Sequence, residues 1–123
     1  MQKTILVVDD DPDILDAITL TLEYAGYNVT TSEKADYAEK LLDKRNSLPK
    51  LIILDVLLSG MDGRTICKKL KASKKTKKIP IIMISAHPDA DKSTRMVGAD
   101  DFLAKPFEVD ELLSKVASFV GTN

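Results

Sequence analysis

One cysteine and one histidine occur among the 123 residues, and each scarcity closes off a kind of chemistry. Cys67 has no partner for an internal disulfide, so no cross-link can hold the fold. With no cysteine or histidine pair, a zinc site is disfavoured. Long apolar runs are missing too: Ile5-Leu6-Val7-Val8 is too short for a signal peptide or a membrane span, which points to the cytoplasm and away from the membrane. Nor is charge of one sign in excess. Eighteen Lys and Arg face nineteen Asp and Glu, and the formal net charge of −1 gives no general attraction for nucleic acid. No linker, internal repeat or low-complexity tract interrupts the chain.

What is present is the composition of a globular domain, with 44% hydrophobic and 30% charged residues. The length suits one hydrophobic core and is too short for two, so a single domain is expected over residues 1–123. Short β-branched apolar runs alternate with longer stretches of helical spacing, the pattern of an α/β domain on a parallel sheet. The runs predict strands over Thr4 to Val8, Tyr27 to Thr31, Leu51 to Leu54, Ile79 to Ile84 and Asp101 to Ala104. The first, third and fourth lack alternating polarity, so helices should cover both of their faces.

A first helix carries Ile14, Leu15, Ile18 and Leu22 on one stripe, opens at Asp11 before Pro12 and stops at Gly26. A second, around Ala35 to Lys44, should bury Ala38, Leu41 and Leu42; a third runs from about Arg64 to Ala72, and a fourth from about Asp89 to Val97, ending at Gly98. In the last, Val109 to Val120, residues Leu112, Leu113, Val116, Phe119 and Val120 recur at intervals that put them on one face.

Open α/β sheets bind ligands beyond the carboxyl ends of their strands, where the strand order reverses. Asp9 and Asp10 follow the first strand, Asp55 the third, Ser85 the fourth and Lys105 the fifth. A strand order of 2-1-3-4-5 brings Asp9, Asp10 and Asp55 together. Gathered carboxylates repel one another unless a cation or a basic side chain offsets them. Lys105 offers one ammonium, and an oxygen-only donor set suits a small hard ion such as Mg²⁺. Such an ion would screen an incoming phosphate from a nucleophilic carboxylate. The plainer alternative, in which an acidic residue after a strand caps the next helix, fits Asp11 well.

These residues resemble the receiver domain of bacterial two-component response regulators over essentially the whole chain. The matching pieces are Ile5-Leu6-Val7-Val8-Asp9-Asp10-Asp11, Leu54-Asp55-Val56 with Gly60-Met61-Asp62-Gly63, Ile84-Ser85-Ala86-His87, and Lys105-Pro106-Phe107. The resemblance implies a flavodoxin-like doubly wound sheet with five surrounding helices, and a phosphorelay switch in which Asp55 accepts a phosphoryl group from a sensor histidine kinase or histidine phosphotransfer protein. It implies Mg²⁺ held by Asp9, Asp10, Asp55 and the carbonyl of Leu57, with Asp10 the direct ligand and Asp9 acting more often through water. Ser85 and Lys105 fall on the hydroxyl and the amine that bind the phosphoryl oxygens. Pro106 matches a proline that follows a cis peptide bond. The domain would catalyse only its own phosphorylation and dephosphorylation.

One departure stands out: many receivers carry proline four residues after the acceptor, where this chain has Ser59, which implies a looser loop. Phe102 falls on the family's switch aromatic, although an aromatic in a strand needs no special purpose. The signal would leave through the face made by the fourth helix, fifth strand and fifth helix. It would reach an unidentified protein target, with the receiver monomeric or dimerising on phosphorylation and binding no nucleic acid itself. The lysines between Lys68 and Lys78 read as a solvated helix end, since no aromatic residues interleave with them for base stacking. Cys67 reads as an inert packing residue, and His87 as a loop residue beside the site. Only Gly121-Thr122-Asn123 follow the last helix, so no output domain is expected in this chain. The rivals are a Mg²⁺-dependent small-molecule phosphatase using an aspartyl phosphate, which would want a substrate cap and a second acid/base, and an interaction module with a dead pocket.

Overall fold

The computed structural model describes residues 4–40, 48–87 and 89–121. Strands β1 (Thr4–Val8), β2 (Asn28–Ser32), β3 (Leu51–Asp55), β6 (Ile81–Ser85) and β7 (Asp101–Ala104) form one parallel sheet in the order β2-β1-β3-β6-β7. This is the expected 2-1-3-4-5 order, and it makes the fold flavodoxin-like. Two further strands, β4 (Leu57–Leu58) and β5 (Met61–Asp62), pair antiparallel as a short hairpin that hydrophobic patterning did not foretell. Each contributes only two residues, too few for any periodicity to show.

Apart from half-buried Thr4 at the start of β1, the three central strands are buried throughout, and apolar up to the polar tips of β3 and β6, so each presents side chains to two cores. On one face, Ile5, Val7, Ile53, Ile82 and Ile84 pack with Leu15, Ile18 and Leu22 of helix α1 (Pro12–Tyr24) and with Leu112 and Val116 of α5 (Val109–Val120). On the other, Leu6, Val8, Ile52, Leu54 and Met83 meet Ile66, Cys67 and Leu70 of α3 (Gly63–Ala72), with Ala38 of α2 (Ala35–Lys40) and Ala90 of α4 (Ala90–Met96). Alternate side chains along a strand point to opposite faces, so an unbroken apolar run is what two covering helix layers demand. Of the residues expected in α2, Ala38 is buried, whereas Leu41 and Leu42 lie outside the described residues.

Small shifts at the strand ends have local causes. Ile79 sits in a turn, its amide bonded to Thr76 O at 2.9 Å, and Pro80 has no N–H to give a ladder, so β6 starts at Ile81. Tyr27 stands before β2 and is buried, its hydroxyl donating to Gly121 O at 2.6 Å. Asp55 and Ser85, expected just past their strands, are the last strand residues, because the ladder continues through the pairs Asp55↔Ile84 and Ser85↔Ala104.

Helix starts follow their capping residues. Asp11 accepts the Asp13 N–H at 2.9 Å with Pro12 beginning α1, and Asp62 accepts the Arg64 N–H at 2.9 Å at the head of α3. Lysines 68, 69, 74, 75, 77 and 78 are exposed around the end of α3, while Lys71 Nζ reaches Asp100 Oδ2 at 2.6 Å. Burial pushes the Cys67 thiol up to about 11, which leaves it protonated and unreactive. No helix among the described residues is long and apolar enough to cross a membrane.

Gly63 packs its backbone directly against β3: a Cβ there would collide with the Asp55 carbonyl oxygen and come within 3.3 Å of Met83 Cε. Its own N–H donates to Val56 O at 2.7 Å, so the helix start has no room to retreat. Gly63→Ala is therefore expected to destabilise the fold by about 2–3 kcal/mol, an overpacking penalty measurable by urea unfolding. Wild-type stability in that variant would show that the contact can relax.

Candidate functional site

Three carboxylates meet at the carboxyl ends of β1 and β3. Asp9 is fully buried, Asp10 half-buried and Asp55 5% exposed, and each offers an oxygen within 4.8 Å of the others. Adjacent parallel strands bring the two tips together, because β1 pairs with β3 in the register Val8↔Leu54.

A single ammonium spans the gap. Lys105 Nζ, just beyond β7, lies 2.9 Å from Asp9 Oδ2 and 3.2 Å from Asp55 Oδ2. The Lys105 amide donates to Ser85 O at 2.9 Å, continuing the β6–β7 ladder, and the Lys105–Pro106 peptide bond is cis. Ser85 is buried, and its Oγ accepts the His87 N–H at 3.0 Å. Asp9 Oδ1 takes the Asp11 N–H at 2.9 Å, and Asp55 Oδ1 the Leu57 N–H at 3.3 Å. Apart from its ion pair with Lys105, Asp9 Oδ2 has no hydrogen bond of good geometry among the described residues.

Electrostatically the cluster is unbalanced, since one ammonium faces three carboxyl groups. Burial first, and the neighbouring Asp9 charge second, push the Asp55 carboxyl from 3.8 up to about 6 against the opposing pull of Lys105. Burial also pulls the Lys105 ammonium down, but its contacts with Asp9 and Asp55 outweigh this and leave its pKa raised. A divalent cation fits such a donor set: three anionic oxygens within one ion's reach, no nitrogen or sulfur ligand, and a residual negative charge.

The residues singled out in the sequence at the strand tips, Asp9, Asp10, Asp55, Ser85 and Lys105, thus converge on one rim. Phe102 is half-buried on β7 opposite Met83, packed against the α3-side core. His87 is exposed in the loop after β6. Two features carried no sequence signal. Ser59 Oγ donates to Asp10 Oδ2 at 3.0 Å across 49 residues of chain. Arg64 grips Asp62 through Nε and Nη2, at 2.9 and 2.6 Å, and its Nη1 donates to Ser93 Oγ at 2.9 Å. The Arg64 hydrogen bonds hold the Asp62 carboxyl below its ordinary value. Beside Ser85, a cavity of about 310 Å³ opens between Val56, Leu57, Arg64, His87 and Ser93.

The sheet order and this acidic rim define a class that comparison with known proteins bears out. Residues 5–117 match the response regulator receiver domain family, and the chain belongs to it. Among its relatives, the phosphate regulon transcriptional regulatory protein PhoB of Pseudomonas aeruginosa is 39% identical over 93% of this chain and 50% of its own length. The receiver domain of NtrX from Brucella abortus superposes with a TM-score of 0.84 at 34% identity, covering 97% of this chain and 99% of that one. The receiver domain of a Pseudomonas aeruginosa sensor histidine kinase, solved with magnesium coordinated in its active-site cleft, gives 0.86 at 26% identity, over 99% of this chain and all of that one. This chain spans about half the length of the curated relatives it matches. As a receiver domain it serves phosphorylation-dependent signalling.

Because the folded protein holds a proton on Asp55 more tightly than the unfolded chain does, this group favours folding below pH 3.8, and the effect is lost as pH rises through about 6. Asp55→Asn should therefore stabilise the metal-free protein by about 1–2 kcal/mol near neutral pH, discounted for solvent screening, and by almost nothing near pH 4. Urea unfolding in EDTA across that range checks both limits. A variant less stable than wild type at neutral pH would contradict the assignment.

Proposed function

We propose that Asp55 is the phosphoacceptor, receiving a phosphoryl group from the phosphohistidine of a sensor histidine kinase or histidine phosphotransfer protein. The observation that carries this reading is Lys105 Nζ bridging Asp9 and Asp55, which sets an amine beside a buried carboxylate at the ligand-binding end of the sheet. An Asp55 oxygen attacks phosphorus, a P–O bond forms and the donor's P–N bond breaks. The released imidazole nitrogen takes a proton from solvent.

Asp10, Asp55 and the Leu57 carbonyl would hold Mg²⁺ directly, which when bound supplies the positive charge that lets an anionic phosphoryl group approach a carboxylate. Both Asp9 oxygens already have protein partners, Lys105 and the Asp11 amide, which favours a part for Asp9 through water. Leu57 has no side-chain ligand atom and would take part by its backbone alone.

Once Asp55 is an acyl phosphate, its carboxylate charge is replaced by phosphoryl oxygens further from the β3 backbone. Lys105 follows that charge, loosening its hold on Asp9. Ser85 Oγ accepts a bond from His87 and keeps its own O–H to donate to a phosphoryl oxygen. Movement of Ser85 opens space on the face where Phe102 packs, so Phe102 is the switch side chain. The altered surface is that of α4, β7 and α5, where Met96 and Val109 are 78% and 54% exposed. Its target is a protein, and the receiver itself contacts neither nucleic acid nor membrane.

Incubation with acetyl phosphate and Mg²⁺, followed by intact mass measurement, should add one phosphoryl group per chain. The addition should vanish in Asp55→Asn and without divalent metal, while Lys105→Ala should lower it by at least tenfold through loss of a charged hydrogen-bond partner. Continuous release of phosphate from a metabolite would point to a phosphatase instead.

A further inference from the structure

Each carboxylate of the acidic cluster is oriented by something, and the means differ. Asp9 is held at both oxygens, by the Asp11 amide and by Lys105. Asp55 is held likewise, by the Leu57 amide and Lys105. Asp10 is half-buried and has a single hydrogen bond among the described residues, the one from Ser59 Oγ at 3.0 Å. Without it, nothing described fixes the rotamer of the carboxylate that projects furthest into solvent.

Ser59 also sits where it can fix a second element. With Gly60, whose φ is 73°, it forms the two-residue turn of the β4–β5 hairpin. Two residues per strand do not make a hairpin stable on its own. Asp62 at its base caps α3 and buried Leu58 anchors it beside the turn, while the exposed Ser59 hydroxyl ties the turn to Asp10 in the loop after β1. That hairpin carries Leu57.

We propose that Ser59 is a positioning residue for the divalent cation: by donating to Asp10 Oδ2 it sets the Asp10 carboxylate and the Leu57 backbone in one arrangement before the ion arrives. The hydroxyl occupies one oxygen of Asp10 and leaves the other for the metal. Carboxylate rotation and hairpin motion are then restricted in advance, so less order remains to be imposed on binding. A loop that the sequence suggested would be loose is stiffened by a hydrogen bond in place of a proline ring. This inference rests on the reading that Asp10 and Leu57 ligate Mg²⁺.

Isothermal titration of the metal-free chain with MgCl₂ tests it. Ser59→Ala should weaken Mg²⁺ binding about 3- to 10-fold, the range of one lost hydrogen bond. Ser59→Thr, which keeps the hydroxyl, should bind within about twofold of wild type, and melting in EDTA should be the same for all three proteins. Unchanged or tighter binding by Ser59→Ala overturns the proposal, and so does weakening that threonine does not rescue or that accompanies a lower melting temperature in EDTA. If wild type itself binds no Mg²⁺, the metal reading fails and this inference with it. Wild-type binding with an indifferent Ser59→Ala removes the inference alone.

Discussion

The contact on which the site depends is the ammonium of Lys105 placed between the carboxylates of Asp9 and Asp55. Two carboxyl groups at the tips of adjacent strands, both almost wholly removed from water, would otherwise repel at short range with little solvent to screen them. Lys105 makes the arrangement tolerable without neutralising it. Burial first, and the Asp9 charge second, still hold the Asp55 carboxyl up at about 6, and one ammonium among three carboxyl groups leaves a net negative charge. That negative charge suits a cation, and in the proposed phosphorylation the same lysine that stabilises the resting cluster would follow the charge as it changes.

The surrounding fold can be understood as a means of holding those groups at that distance. Parallel pairing of β1 with β3 sets the two acidic tips side by side, and pairing of β6 with β7 sets Ser85 beside the start of the Lys105 loop. Two apolar cores clamp the sheet from both faces, and close-packed interiors resist small displacements. Gly63 shows how little slack there is, since α3 begins directly against the Asp55 carbonyl. The β4–β5 hairpin is the exception, exposed at its apex and joined to the loop after β1 through a side-chain bond. A rigid rim with one exposed hairpin suits the proposed exchange with a bulky phosphoryl donor.

The composition and order of the chain were enough to establish the layered α/β architecture, because unbroken apolar runs such as Leu51-Ile52-Ile53-Leu54 can only be satisfied by burial on both faces. They also located the acidic rim, since Asp9, Asp10, Asp55, Ser85 and Lys105 each stand where an apolar run gives out. Helix starts at Asp11 and Asp62 obey local capping rules that act within two residues. What the tertiary structure alone decided is whatever depends on distant residues meeting: the bridge from Lys105 to two strand tips, the Ser59 bond to Asp10 and the Arg64 link from Asp62 to Ser93. No periodicity records such contacts. A hydroxyl in a turn or a guanidinium at a helix start has the same local preferences whichever partner it finds, and only the packed sheet and helices determine which partner lies within hydrogen-bond reach.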